Sequence, residues 1–137
     1  MTTSQLSDGA ATTGGIVLLI VLTIAYGGTF LLRVVRGQVP TNALQQSFFR
    51  AGHAHAGVLV ILGLVVNLYV DLAGVTGWAA RLSDGVLLAA ILMSAGFFLS
   101  VIGRDPKRPN QLIALVWLGA LSLAVGLVAA GVGLLRA

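Results

Sequence analysis

The chain's only two histidines, His53 and His55, sit in the segment Arg50-Ala51-Gly52-His53-Ala54-His55-Ala56-Gly57-Val58-Leu59. Imidazole titrates near neutral pH and ligates metals and haem iron, so proton, metal or cofactor chemistry in this chain starts from these rings. No cysteine or glutamate accompanies them. Disulfides, thiolate ligands and Cys-held clusters are therefore excluded. The four aspartates, Asp8, Asp71, Asp84 and Asp105, are scattered along the chain and form no catalytic pair. Nucleophilic triads and phosphate-binding loops are missing. His53 and His55 are the candidate cofactor-binding and metal-ligating residues, and no catalytic residue is assigned.

Spacing separates the two rings. Each helical residue advances about 100°, which places Gly57 at about +40°, Asn67 at about −40° and Asp71 at about 0° relative to His53. His53, Asn67 and Asp71 thus form a polar stripe on one helix face. His55 falls about 200° away, among Leu62, Val66 and Tyr69. Residues at i and i+2 of a regular helix cannot share one ion, and the i, i+4 spacing of a zinc helix is absent. A complete metal site would need ligands from another copy, a cofactor or water. The plainer alternative is that each ring is solvated or bonded to a carbonyl, with Gly52 and Gly57 serving only close packing. Met93 is read as a buried apolar residue, although its thioether could ligate haem.

The elements that must carry these residues are apolar. Of 137 residues, 58% are hydrophobic and 9% charged, against roughly 25% charged in soluble domains. Mean hydropathy is +1.01. Four stretches reach the ~20 residues needed to cross a hydrocarbon core. They lie near 14–35, 51–72, 82–102 and 112–135. The expected fold is all-α: a single-domain integral membrane four-helix bundle. Pro40, Pro106 and Pro109 fall in the first and third connections, and Gly74, Gly77 and Trp78 interrupt the second. Asp84, following Arg81, is expected to cap the third helix.

The net charge of +4 is distributed as in a multi-pass cell-membrane protein. Arg33, Arg36 and Arg50 lie in or beside the first connection, and Arg104, Lys107 and Arg108 in the third. The second connection holds only Arg81, the C-terminus only Arg136, and the first fifteen residues no basic residue. Basic loops face the cytoplasm, which gives an N-out/C-out topology. They also favour anionic headgroups, so the lipid bilayer is the expected partner. No basic face of any extent offers a nucleic-acid site. The polar Met1–Gly15 lacks a basic n-region, so the first helix is read as retained and not as a signal peptide.

Many of the 18 glycines lie inside the spans and let helices approach closely, within the chain or between copies. Gly126 and Ala130 form one small-xxx-small pair. An internal echo also links Gly28, Phe30, Leu31, Arg36 and Asn42 to Gly96, Phe98, Leu99, Arg104 and Asn110. Such an echo would make the chain two parallel hairpins.

Arg50-Ala51-Gly52-His53-Ala54 ahead of an apolar helix resembles the second helix of haem-copper oxidase subunit I, where a similar sequence presents an axial histidine to low-spin haem. The His53-Ala54-His55 triplet also resembles small four-helix membrane proteins distantly similar to that subunit. The resemblance covers about 25 residues. It implies His53 as haem ligand, with His55 the competing assignment. Because the large subunit arranges twelve helices in three groups of four, it further implies a homo-oligomer, with a trimer as the model. The family's copper ligands, second axial histidine and cross-linked tyrosine have no counterparts here. Three function classes follow. The leading one is an assembly or scaffold subunit of a larger membrane complex. The second is a haem- or metal-binding membrane protein for electron transfer or sensing. The third is a small transporter or channel lined by His53, Asn67 and Asp71.

Overall fold

The computed structural model describes residues 5–137, and these are helical with turns and no strand. Helix α1 spans Asp8–Val35, α2 Ala43–Leu72, α3 Gly77–Ser83, α4 Gly85–Leu99 and α5 Ala114–Leu134; a 3₁₀ turn at Gln111–Ile113 leads into α5. Helices α3 and α4 run on as one rod, so four helical segments are long and apolar enough to cross a membrane.

The boundaries depart from the apolar runs for local reasons. Helix α1 begins six residues before the expected position 14, because the Ser7 side chain accepts from the Ala10 N–H and caps a polar first turn. Helix α2 begins eight residues before position 51. There Asn42 accepts from the Gln45 N–H while the Gln45 side chain accepts from the Asn42 N–H, a reciprocal box that satisfies two orphan donors. The third segment starts at Gly77, where Gly74 and Gly77 adopt positive φ of 67° and 71°. Asp84 stands at the α3–α4 junction but makes no capping hydrogen bond, so the expected cap is not formed. Its own backbone is helical (φ −61°, ψ −18°), and the unbroken rod leaves no exposed helix start to cap.

Packing is uneven. Helices α4 and α5 close on one another through glycines: a Cβ at Gly126 would stand 2.8 Å from the Val86 N, and one at Gly85 2.8 Å from the Ser122 O. Helix α2 lies against α4, and its Gly52 admits the Phe98 ring, 2.9 Å from where a Cβ would be. Helix α1 packs against α2 alone. Val17 of α1, Leu59 and Val60 of α2, and Ala89, Ala90 and Met93 of α4 form the core.

The two basic connections are tied together at one end. Asn42 donates to the Asp105 carboxylate and to the Pro106 carbonyl, both at 2.8 Å, and buried Gln45 donates to the carbonyls of Val101 and Gly103. Lys107 pairs with Asp105. The hydrogen bond from Asn42, reinforced by Lys107, holds the Asp105 carboxyl below the usual carboxylate range. The echo has a spatial counterpart here: Phe30 and Phe98 flank the same Phe49 ring at 5.4 and 5.6 Å. Asn42 and Asn110 each cap the helix that follows.

Candidate functional site: two imidazoles on opposite sides of one helix

The two rings leave α2 toward different neighbours. His53, half-buried, lies against α1, where Gly27 and Gly28 form the floor beneath it. A Cβ added at Gly27 would sit 3.7 Å from Nδ1, and one at Gly28 3.6 Å from Nε2. Neither ring nitrogen has a hydrogen-bond partner among the described residues. The Gly27-Gly28 pair thus lets α1 pass an imidazole that larger side chains would displace.

His55 turns toward α4. Its Nδ1 lies 2.7 Å from the Ala51 carbonyl oxygen, one turn back on its own helix. A carbonyl oxygen only accepts, so Nδ1 carries the proton, and in the neutral ring Nε2 keeps its lone pair. The ring rests 4.9 Å from that of Phe97, tilted by 36°. Phe97 meets Phe48 edge-on at 5.6 Å, which braces this wall. His55, Ala54 and Val58 line a groove of about 300 Å³ with Leu59, Met93 and Leu123. His55 is half-buried, with the Phe97 ring beside it. Met93 is buried, as its apolar character requires, yet it shares this groove.

The polar stripe faces α1 along its whole length. The Asn67 side-chain amide donates to the Ala10 carbonyl at 3.3 Å. Ser7 donates to the Asp71 carboxylate through its N–H at 2.9 Å and through its hydroxyl. Asn67 and Asp71 thus fasten α2 to the start of α1, and both also line a polar cavity of about 280 Å³ with Thr13, Arg81 and Asp84. No three His or Asp residues come together as a metal-binding group among the described residues. His53 and His55 in particular do not converge.

Other polar side chains serve their own helices: Thr23, Thr29 and Ser100 each donate to a carbonyl three residues back. Ser94 does not, and its buried Oγ has no partner. The aromatic wall of Phe48, Phe49, Phe97 and Phe98 was legible only as two Phe-Phe pairs; their 49-residue separation hides that α2 and α4 bring them level. No family model, curated protein or solved structure matches the chain.

Proposed function

We propose that the protein is a multi-pass cell-membrane subunit, N-out/C-out, in which His55 presents an imidazole to haem at a surface completed by another chain. The observation that carries this reading is the Nδ1–H···O=C bond from His55 to Ala51. Ligating histidines are oriented in this way, with one nitrogen pinned by a carbonyl and the other left as donor to the metal. The available donors suit a cofactor better than a bare ion. Tetrahedral zinc needs several protein ligands, which the scattered aspartates and divergent histidines do not supply. A porphyrin brings its own four nitrogens and asks the protein for one or two axial ligands.

The groove beside His55 is apolar apart from the ring, and exposed Ala54 offers a low shelf for a flat macrocycle. Met93 stands on the same groove as a soft second donor. When bound, haem would supply one-electron or Lewis-acid chemistry, while the chain would orient the imidazole, fix its tautomer and exclude water. A groove of about 300 Å³ leaves much of a macrocycle exposed. This supports an oligomeric or complex-bound form, a homotrimer being the one implied by resemblance to haem-copper oxidase subunit I. That resemblance favours His53 as ligand; the carbonyl-pinned Nδ1 of His55 and its place on the groove favour His55.

A second reading keeps the same topology without a cofactor: an assembly or scaffold subunit. It is favoured by α1, which packs on α2 alone and leaves Leu18, Leu19, Leu22 and Tyr26 more than 60% exposed. Expression with haem supplementation, followed by absorption and metal analysis of detergent-purified protein, separates the two. A Soret band lost in His55→Ala and retained in His53→Ala supports haem on His55. Loss only in His53→Ala moves the ligand to the α1 seam, and colourless wild-type protein leaves the scaffold reading.

A further inference from the structure

We infer that the groove along the α4–α5 seam binds a zwitterionic aminophospholipid, with its phosphate on Arg81, its ammonium on Asp84 and one acyl chain between the two helices. The groove, of about 500 Å³, joins a charged mouth to an apolar length. Arg81 and Asp84 stand at the mouth, by the α3–α4 junction; beyond them Leu88 and Leu92 of α4 and Leu118, Leu121 and Val125 of α5 line the groove. Glycine brings the two backbones together at the floor, where a Cβ at Gly85 would stand 2.8 Å from the Ser122 carbonyl oxygen. Leu88 and Leu121, 49% and 63% exposed, rise beside it as walls, so the groove opens sideways. From Asp84 to Leu92 the helix rises about 12 Å, against about 15 Å for the hydrocarbon of one leaflet. An acyl chain entering at the mouth therefore has apolar walls for most of its leaflet.

The mouth selects the headgroup. Arg81 and Asp84 are exposed and lie about one turn apart, yet neither forms an ion pair among the described residues, where Lys107 and Asp105 do. The other polar side chain on the lining, Ser122, is already satisfied, since its hydroxyl donates to the Gly85 carbonyl at 2.8 Å. Recognition thus falls to one guanidinium and one carboxylate. A guanidinium takes a phosphate through paired N–H bonds, and a carboxylate takes an ammonium through charge-assisted ones. A phosphoethanolamine headgroup carries both partners, joined by two carbons, and makes both contacts. Phosphocholine matches the charges, but its methylated nitrogen has no N–H to give Asp84. An anionic headgroup meets surplus negative charge, because Arg81 and Asp84 also line the neighbouring polar cavity with Asp71, whose carboxylate is held there by Ser7. The basic connections at the opposite end are the contrasting surface, suited to anionic lipid. Neither histidine lines this groove, so the site stands or falls independently of haem binding.

The test is native mass spectrometry of the full-length protein, released from detergent micelles that contain equal amounts of phosphatidylethanolamine, phosphatidylcholine and phosphatidylglycerol with identical acyl chains. The expected result is retention of phosphatidylethanolamine several-fold above either competitor. Asp84→Asn, which removes the charge and keeps the shape, should bring it down to the phosphatidylcholine level, and Arg81→Gln should reduce both of these lipids. Arg104→Gln, at the basic end, should leave the preference unchanged. Equal retention of the three lipids would overturn the proposal in favour of a non-selective lipid annulus. Stronger retention of phosphatidylglycerol would overturn it in favour of the basic connections. A preference that survives both Arg81→Gln and Asp84→Asn, or is lost in Arg104→Gln, would place the site elsewhere and overturn it as well. The wild-type comparison needs no variant, so it decides the headgroup preference even where a substitution perturbs folding.

Discussion

The α4–α5 seam and the α1–α2 seam are built from similar residues and pack in opposite ways. In the first, Gly85, Gly96, Gly119 and Gly126 each stand where a Cβ would meet the neighbouring helix at less than 3.0 Å. Backbones therefore touch over the whole length. In the second, glycines occur as the single pair Gly27-Gly28, and what they face is an imidazole. The remaining bonds of that seam are the polar ones of Asn67 and Asp71 to the start of α1. The lesson is that a glycine's partner decides its role. Against backbone it cements two helices; against a side chain it makes room for a functional group.

The largest effect should come from filling the tight seam. Gly126→Leu places a branched side chain against the Val86 backbone, and overpacking of this kind costs about 1–3 kcal/mol or more. Thermal unfolding in detergent should show a clear loss. Gly131→Leu on the same helix, where nothing lies within 4 Å of a Cβ, should unfold like wild type; equal losses would break the contrast. Next in size is Gly28→Leu, which cannot coexist with His53 in place, whereas Gly28→Ala fits at ordinary contact distance. Hydrogen exchange should rise in α1 for the leucine variant alone and stay unchanged in α4 and α5.

Much of this arrangement was readable beforehand, and the reasons differ by element. Four apolar runs fix four helices because nothing else satisfies that much backbone in an apolar setting. The opposite directions of His53 and His55 follow from the helical repeat. The early starts of α1 and α2 were not extracted from hydropathy, since capping is carried by polar residues outside the apolar runs; Asn42 with Gln45 was the available signal. The partners of the two rings were out of reach. Whether His55 meets lipid or Phe97 depends on how α4 is rotated, and α4 is apolar around its whole circumference.

Smaller effects probe the polar fastenings at either end. Asp71→Asn weakens its bonds with Ser7 and should raise exchange in the first turns of α1, leaving exchange around Gly27 and Gly28 unchanged. At the basic connections, the Asp105 carboxyl is held below its ordinary value, about 3.9 in model peptides, by Asn42 and Lys107. Its contribution is therefore fully present above that ordinary value and is lost as pH falls through the lowered folded one. Melting measured from pH 6 down to pH 2 should show a shallow acid-side decline that Asp105→Asn flattens; an undiminished decline in the variant would assign it elsewhere.

We propose His55, its tautomer fixed by Ala51, as the group through which this bundle would hold haem. Imidazole rescue tests it most directly. Protein carrying His55→Gly, produced with haem, should be pale, and added imidazole should restore the wild-type Soret band, whereas His53→Gly should keep the band without imidazole. A wild-type protein that carries no haem, or a His55→Gly variant that retains the full band unaided, would contradict the account.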